Sequence, residues 1–268
     1  MNFRLGLARK LVSAYWQIAL TYRGSLLIEG LHALLMPSIL MLVWLSVKRT
    51  PDVLYSDGDY LLYYLAMPVV MTITACMTVY EIPEEIRNGT LSRNLLKPFH
   101  PLWQYVFKNI AFKMVKLIYL LPVVFSIGWF LGDRLPVVDL SIPRAFLIAS
   151  ILCLGIILRY VMTTFLAMTG FWIEHVETLN LVVNAGIWAI FGGMIVPIET
   201  MPPWIRPVAH VLPYRYCLSF PIEVLRGHLV PSEILFGLAI GSFWCFAFFI
   251  LLKFLWRKGL RQYTAYGG

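Results

Sequence analysis

The sequence predicts an all-α polytopic membrane protein with six transmembrane helices, and three observations carry that prediction. Of its 268 residues, 60% are apolar or aromatic and only 13% are charged. A soluble domain usually needs about 25% charged residues to cover its surface. Six apolar runs approach or exceed the ~20 residues that cross ~30 Å of hydrocarbon as a helix, and lysine and arginine divide unevenly between the loops that join them.

Residues 1–24 precede the first run and carry helical periodicity. Leu7, Leu11, Tyr15, Ile18 and Tyr22 share one face, while Arg9, Lys10, Ser13 and Gln17 share another. That pattern predicts an N-terminal amphipathic helix lying in the membrane interface. Two readings stand for it: a simple anchor, or contact with a partner. No small-residue cleavage site follows, so a cleaved signal peptide is not expected.

The spanning domain is expected over residues 25–256. Its runs are Ser25–Val47, Tyr60–Tyr80, Met114–Leu131, Ala145–Phe171, Leu179–Val196 and Ile234–Trp256, with the third extending back into Tyr105–Phe112. Pro37, Pro68 and Pro122 fall inside spans, where they are tolerated and commonly kink the helix. With both termini placed in the cytoplasm, 15 of the 22 basic residues face inward, and eight acidic residues accompany the seven that face outward. An even number of spans and a cytoplasmic tail over residues 257–268 follow.

Two connections stand out. Residues 81–101 read EIPEEIRNGTLSRNLLKPFHP. Glu84 and Glu85 favour the positive end of a short helix, Gly89 weakens its interior, and Pro98 and Pro101 stop it. The alternative is an ordinary solvated loop. Residues 197–231 hold 7 of the 16 prolines yet stay rich in aromatics, including Trp204, Tyr214, Tyr216 and Phe220. A disordered loop would be polar; this one predicts short broken helices dipping into the outer interface.

Catalytic and metal-binding patterns are missing. There is no GxxxxGK[ST], HExxH, GxSxG or GxGxxG. The five histidines are scattered, and Cys76, Cys153, Cys217 and Cys245 have no metal-ligand spacing. The net charge of +8 comes from residues at the membrane edges, which excludes a nucleic-acid patch. Three intramembrane polar residues are candidates for function: Glu29 and His32, on one turn of the first span, and Arg159 in the fourth. Either Glu29 or Arg159 faces a polar path, or Arg159 snorkels or pairs with Glu174 or Glu177. A lipid-modifying intramembrane enzyme would need convergent His, Asp, Glu or Cys, and an ion-coupled carrier would need paired midspan acids; neither pattern is present.

The residues Glu85-Ile86-Arg87-Asn88-Gly89-Thr90-Leu91, then Leu95-Leu96 and Pro98, resemble the E-x-x-x-G-T-L-x-x-L-L-x-P coupling segment of type-2 ABC permeases. The ending GLRQYTAYGG, with Gly259, Tyr263 and Gly267, is similar to viologen and multidrug export permeases of that superfamily. The resemblance covers essentially the whole chain. It implies a cytoplasmic coupling helix over residues 81–101, with Glu81, Glu84, Glu85, Arg87, Asn88, Gly89, Thr90, Leu91, Leu95 and Leu96 meeting the ATPase. It also implies outer re-entrant helices over 197–231, between spans five and six. Gly186, Gly192 and Gly193 are expected at a dimer interface, or packed within one subunit, and Met201, Trp204, Tyr214 and Tyr216 at an exit gate. The chain itself would need no cofactor, because ATP and magnesium would sit on a separate ATPase subunit. A second permease subunit, identical or paralogous, would complete an exporter of amphiphilic or drug-like substrates in a bacterial-type inner membrane.

Overall fold

The computed structural model describes residues 5–46, 55–139 and 141–263. It is 81% helical, with no strand among the described residues. The helices are α1 (Leu5–Thr21), α2 (Arg23–Ser46), α3 (Asp57–Thr74), α4 (Thr78–Arg87), α5 (Leu91–Leu95), α6 (Leu102–Phe130), α7 (Ile142–Met168), α8 (Val176–Asn180), α9 (Trp188–Phe191), α10 (Arg206–Val211), α11 (Ser219–Arg226) and α12 (Pro231–Gln262). A π-helical stretch, Leu181–Ile187, joins α8 to α9. Gly267, part of the C-terminal signature, lies outside the described residues.

Among the described residues, five helices are long and apolar enough to cross a membrane: Arg23–Ser46, Asp57–Arg87, Leu102–Phe130, Ile142–Phe171 and Pro231–Gln262. The expected fifth span is the difference. It is a composite of α8, the π-helical stretch and α9 over Val176–Phe191, and at 1.5 Å per residue it reaches only about 24 Å. Backbone geometry ends it early. Gly193 takes φ +82°, a left-handed conformation that favours glycine, and the chain then leaves the helix.

The other boundaries follow from local chemistry. Ser56 caps α3 reciprocally: its hydroxyl accepts from the Asp59 N–H at 3.2 Å, while its own N–H donates to the Asp59 carboxylate at 2.8 Å. The predicted second span continues past Tyr80 to Arg87, interrupted only at residues 75–77. Asn88–Gly89 makes the expected turn, with Gly89 at φ +69°. α6 starts at Leu102, earlier than the third apolar run alone predicts. α1 half-buries Leu7, Leu11 and Tyr15 of its expected apolar face and exposes Arg9, Lys10, Ser13 and Gln17; Ala19 is buried with Leu26 and Val115, and Trp16 packs beside them against α6. Ile18 and Tyr22 stay exposed.

α12 lies along α7, and glycines let it approach closely. A Cβ on Gly241 would stand 2.8 Å from the Leu154 side chain of α7. Three apolar clusters stack through the bundle. One, around Tyr63, Tyr64 and Met67, joins α3 to Trp188 and to residues 214–222. Another, around Ile82, Leu91 and Met168, sits at the opposite end with α4, α5 and the end of α7. The third packs Tyr216, Cys217 and Phe220 against α7 and α12. The end carrying α4 and α5 is called the elbow end below.

Candidate functional site

The elbow is built from two short helices fixed to a long one. Glu85 is its pin: the Asn94 amide donates to Oε2 at 2.6 Å and the Tyr105 hydroxyl at 2.5 Å, so one carboxylate ties α4 to α5 and α6. Lys108 on α6 pairs with Glu81 at 2.7 Å. Arg87 reaches the next connection, donating to the Glu174 carbonyl and to Glu177 Oε1, both at 2.8 Å. Leu91 is fully buried below, and Gly89 and Thr90 are half-buried at the turn. Burial pulls the Lys97 ammonium below the usual lysine range, against an upward pull from Glu85. Glu85 is thus spent inside the chain. Glu84, Asn88, Leu95 and Leu96 are left on the surface, Leu96 with 87% of its area exposed.

Of the glycines expected at a dimer interface, Gly192 and Gly193 pack within the chain. The Tyr63 hydroxyl donates to the Gly193 carbonyl at 2.6 Å, and the Ser219 N–H to the Gly192 carbonyl at 3.2 Å. Only Gly186 stays exposed. The four expected gate residues divide similarly. Met201 is buried with Ile198 and Ala209, Tyr214 is buried, and the Tyr216 hydroxyl donates to the His210 carbonyl at 2.5 Å. Trp204 alone faces outward, 77% exposed.

Beneath them lies an ion network that the sequence reading misses. Arg215 pairs with Glu223, their side chains only 6% and 0% exposed. Arg226 pairs with Glu199, lies 4.0 Å from Asp59, and stacks 3.9 Å over the Tyr55 ring. Burial, then the charge of Glu223, push the Glu199 carboxyl above the usual carboxylate range, while Arg226 pulls it down. One signal was available: Ser219, Glu223 and Arg226 share a face of α11, which an outer loop in water would not require.

The midspan polar residues also sort differently from expectation. Glu29 pairs with Lys116 on α6, and His32 is exposed. Arg159 pairs with neither Glu174 nor Glu177; Arg87 holds the Glu177 carboxylate and the Glu174 backbone carbonyl. Arg159 sits too deep to reach them, 9 residues before the end of α7, and its guanidinium lies over the Trp188 ring at 4.3 Å. Nearby Cys217 brings no charge, since burial pushes its thiol up to about 12. All four cysteines are free, and no His, Cys, Asp and Glu cluster suited to a metal occurs among the described residues.

These features describe a polytopic membrane protein with an elbow tied by hydrogen bonds at one end and a buried ion network at the other. The family model of ABC-2 family transporter proteins matches residues 34–267. Neither the curated proteins nor the solved structures searched yielded a match. The matched span covers the elbow, the ion network, the second half of α2 and every helix after it, and with it the chain belongs to the ABC-2 transporter family, as a membrane-embedded permease subunit of an ABC transporter.

Proposed function

We propose that this permease forms half of an exporter for amphiphilic molecules, driven by a separate ATPase subunit that grips the elbow end. The elbow end is then cytoplasmic, both termini are inside, and the membrane is a bacterial-type inner membrane. Two permease subunits, identical or paralogous, enclose the path. Closure of the ATPase pair pushes on Glu84, Asn88, Leu95 and Leu96. The Glu85 pin passes that push to α6, and Arg87 passes it to the Glu174–Glu177 connection, so two parts of the bundle move together. Gly186 and the exposed face of α2 supply surface for the second subunit, and Trp204 stands at the exit.

The observation that carries this reading is the exposed Leu95–Leu96 ridge on an elbow pinned from within. The test is co-purification. With Leu95→Asp and Leu96→Asp together, the permease is expected to insert and melt like the wild type, because neither side chain is buried. It is expected to lose at least tenfold of the ATPase subunit recovered with it, since buried apolar anchors dominate such contacts. Undiminished recovery of that subunit contradicts the assignment.

A further inference from the structure

Three parts of the chain bring uncompensated positive charge to one depth in the bundle. Lys113 stands 11 residues into α6, and Arg159 stands 9 residues before the end of α7. The interruption at residues 75–77, after which α4 begins, lies about as far from the elbow end of its own span. At 1.5 Å per residue, all three are about 14–17 Å from the elbow ends of their helices, inside the apolar spans. The two cations feel each other's charge, and both feel the Cys76 thiol inside the interruption.

The unpaired groups around Arg159 are hydrogen-bond donors or can act as one. Arg159 Nη1 is buried with no partner. Trp188, itself over nine-tenths buried and directly beneath that guanidinium, has an unpartnered indole N–H. The buried Thr163 hydroxyl, one turn along α7 from Arg159, is also unpartnered. Lys113 makes no ion pair among the described residues, whereas its neighbours on α6, Lys108 and Lys116, are paired with Glu81 and Glu29. Glu81, on the first turn of α4, is held by Lys108 through Oε1, and its Oε2 is buried without a partner. The start of α4 adds the positive end of a helix dipole.

Charges at this depth are costly and cluster on pathways, and a group of donors without an acceptor is stabilised only when something negative arrives. We propose that Arg159, Trp188, Thr163, Lys113 and the start of α4 bind the anionic headgroup, a carboxylate or phosphate, of the transported amphiphile. This rests on the permease reading above and sharpens it. The substrate is an anion with an apolar body, and a cationic amphiphile is excluded by Lys113 and Arg159.

Equilibrium binding of radiolabelled laurate to the full-length permease in zwitterionic nanodiscs tests the site without requiring the ATPase. Saturable binding is expected, weakened at least tenfold by Arg159→Gln and by Lys113→Gln, retained in Arg159→Lys, and unchanged in Lys253→Gln on α12. Dodecyl phosphate is expected to compete and dodecyltrimethylammonium not to; the ratio of laurate to dodecyl phosphate affinity tells a carboxylate preference from a phosphate one. Melting temperatures within a few degrees of wild type show that the variants fold; if Arg159→Gln does not fold, Lys113→Gln and Arg159→Lys decide. Absent saturable binding, equal binding by the glutamine variants, or competition by the cation overturns the proposal. ATP hydrolysis by the assembled complex is scored separately: hydrolysis without laurate binding sinks the anion site alone, and a permease that recruits no ATPase sinks the transporter reading.

Discussion

Replacing Glu223 with alanine is expected to destabilise the folded permease by about 3–5 kcal/mol, the usual consequence of removing one partner of a buried ion pair. The reason is the carboxylate's surroundings. Arg215 is buried against it and against the Phe220 ring at 5.2 Å, so the orphaned guanidinium could not turn to solvent without opening the core. The pair also sits between the Tyr63–Met67 cluster and the cluster around Tyr216 and Phe220, so disorder there reaches α3, α7 and α12. Thermal melting followed by detection of monodisperse protein measures the loss. The double replacement Arg215→Met with Glu223→Leu is expected to recover most of it, because an apolar pair leaves no charge uncompensated. If the single variant melted like the wild type, the network would hold nothing together.

Glu85→Ala is expected to uncouple rather than unfold. Hydrogen bonds to a charged group contribute roughly 1.5–3 kcal/mol each, and the substitution removes two of them, from Asn94 and Tyr105. α5 then keeps only Leu91 as a buried anchor at the elbow. The ATPase should still bind, because Leu95 and Leu96 are untouched, yet its strokes would be absorbed by a loose α5. Transport per ATP hydrolysed should fall at least tenfold in proteoliposomes, with recovery of the ATPase subunit near wild type. Transport and hydrolysis falling together by the same factor would show that Glu85 acts at the contact itself instead of behind it.

Composition and hydropathy exposed five of the helices because lipid imposes one rule on every residue of a span, whatever its neighbours. The turn at Asn88–Gly89 was legible for a local reason: glycine there reaches a left-handed φ without strain. What the sequence hid depends on distant residues. The short composite helix over Val176–Phe191 looks like a span in hydropathy, since the π-helical stretch changes geometry and not composition. Glu85 and Arg87 look like surface residues because their partners, Tyr105 and Glu177, lie 20 and 90 positions away. The ion network draws on Asp59, Glu199 and residues 215–226, and Asp59 joins it only where α3 packs against α11. Lys113 escaped notice because a lysine near the start of an apolar run reads as an edge anchor, whereas α6 begins 11 residues earlier and leaves it half-buried.

The most direct measurement concerns Leu96. With the four native cysteines replaced by alanine and Leu96→Cys introduced, a membrane-impermeant maleimide should label inverted vesicles and leave right-side-out ones unlabelled. Co-expression of the ATPase subunit should block that labelling. Modification from the extracytoplasmic side, or labelling indifferent to the ATPase, would remove the surface through which force is held to enter the bundle.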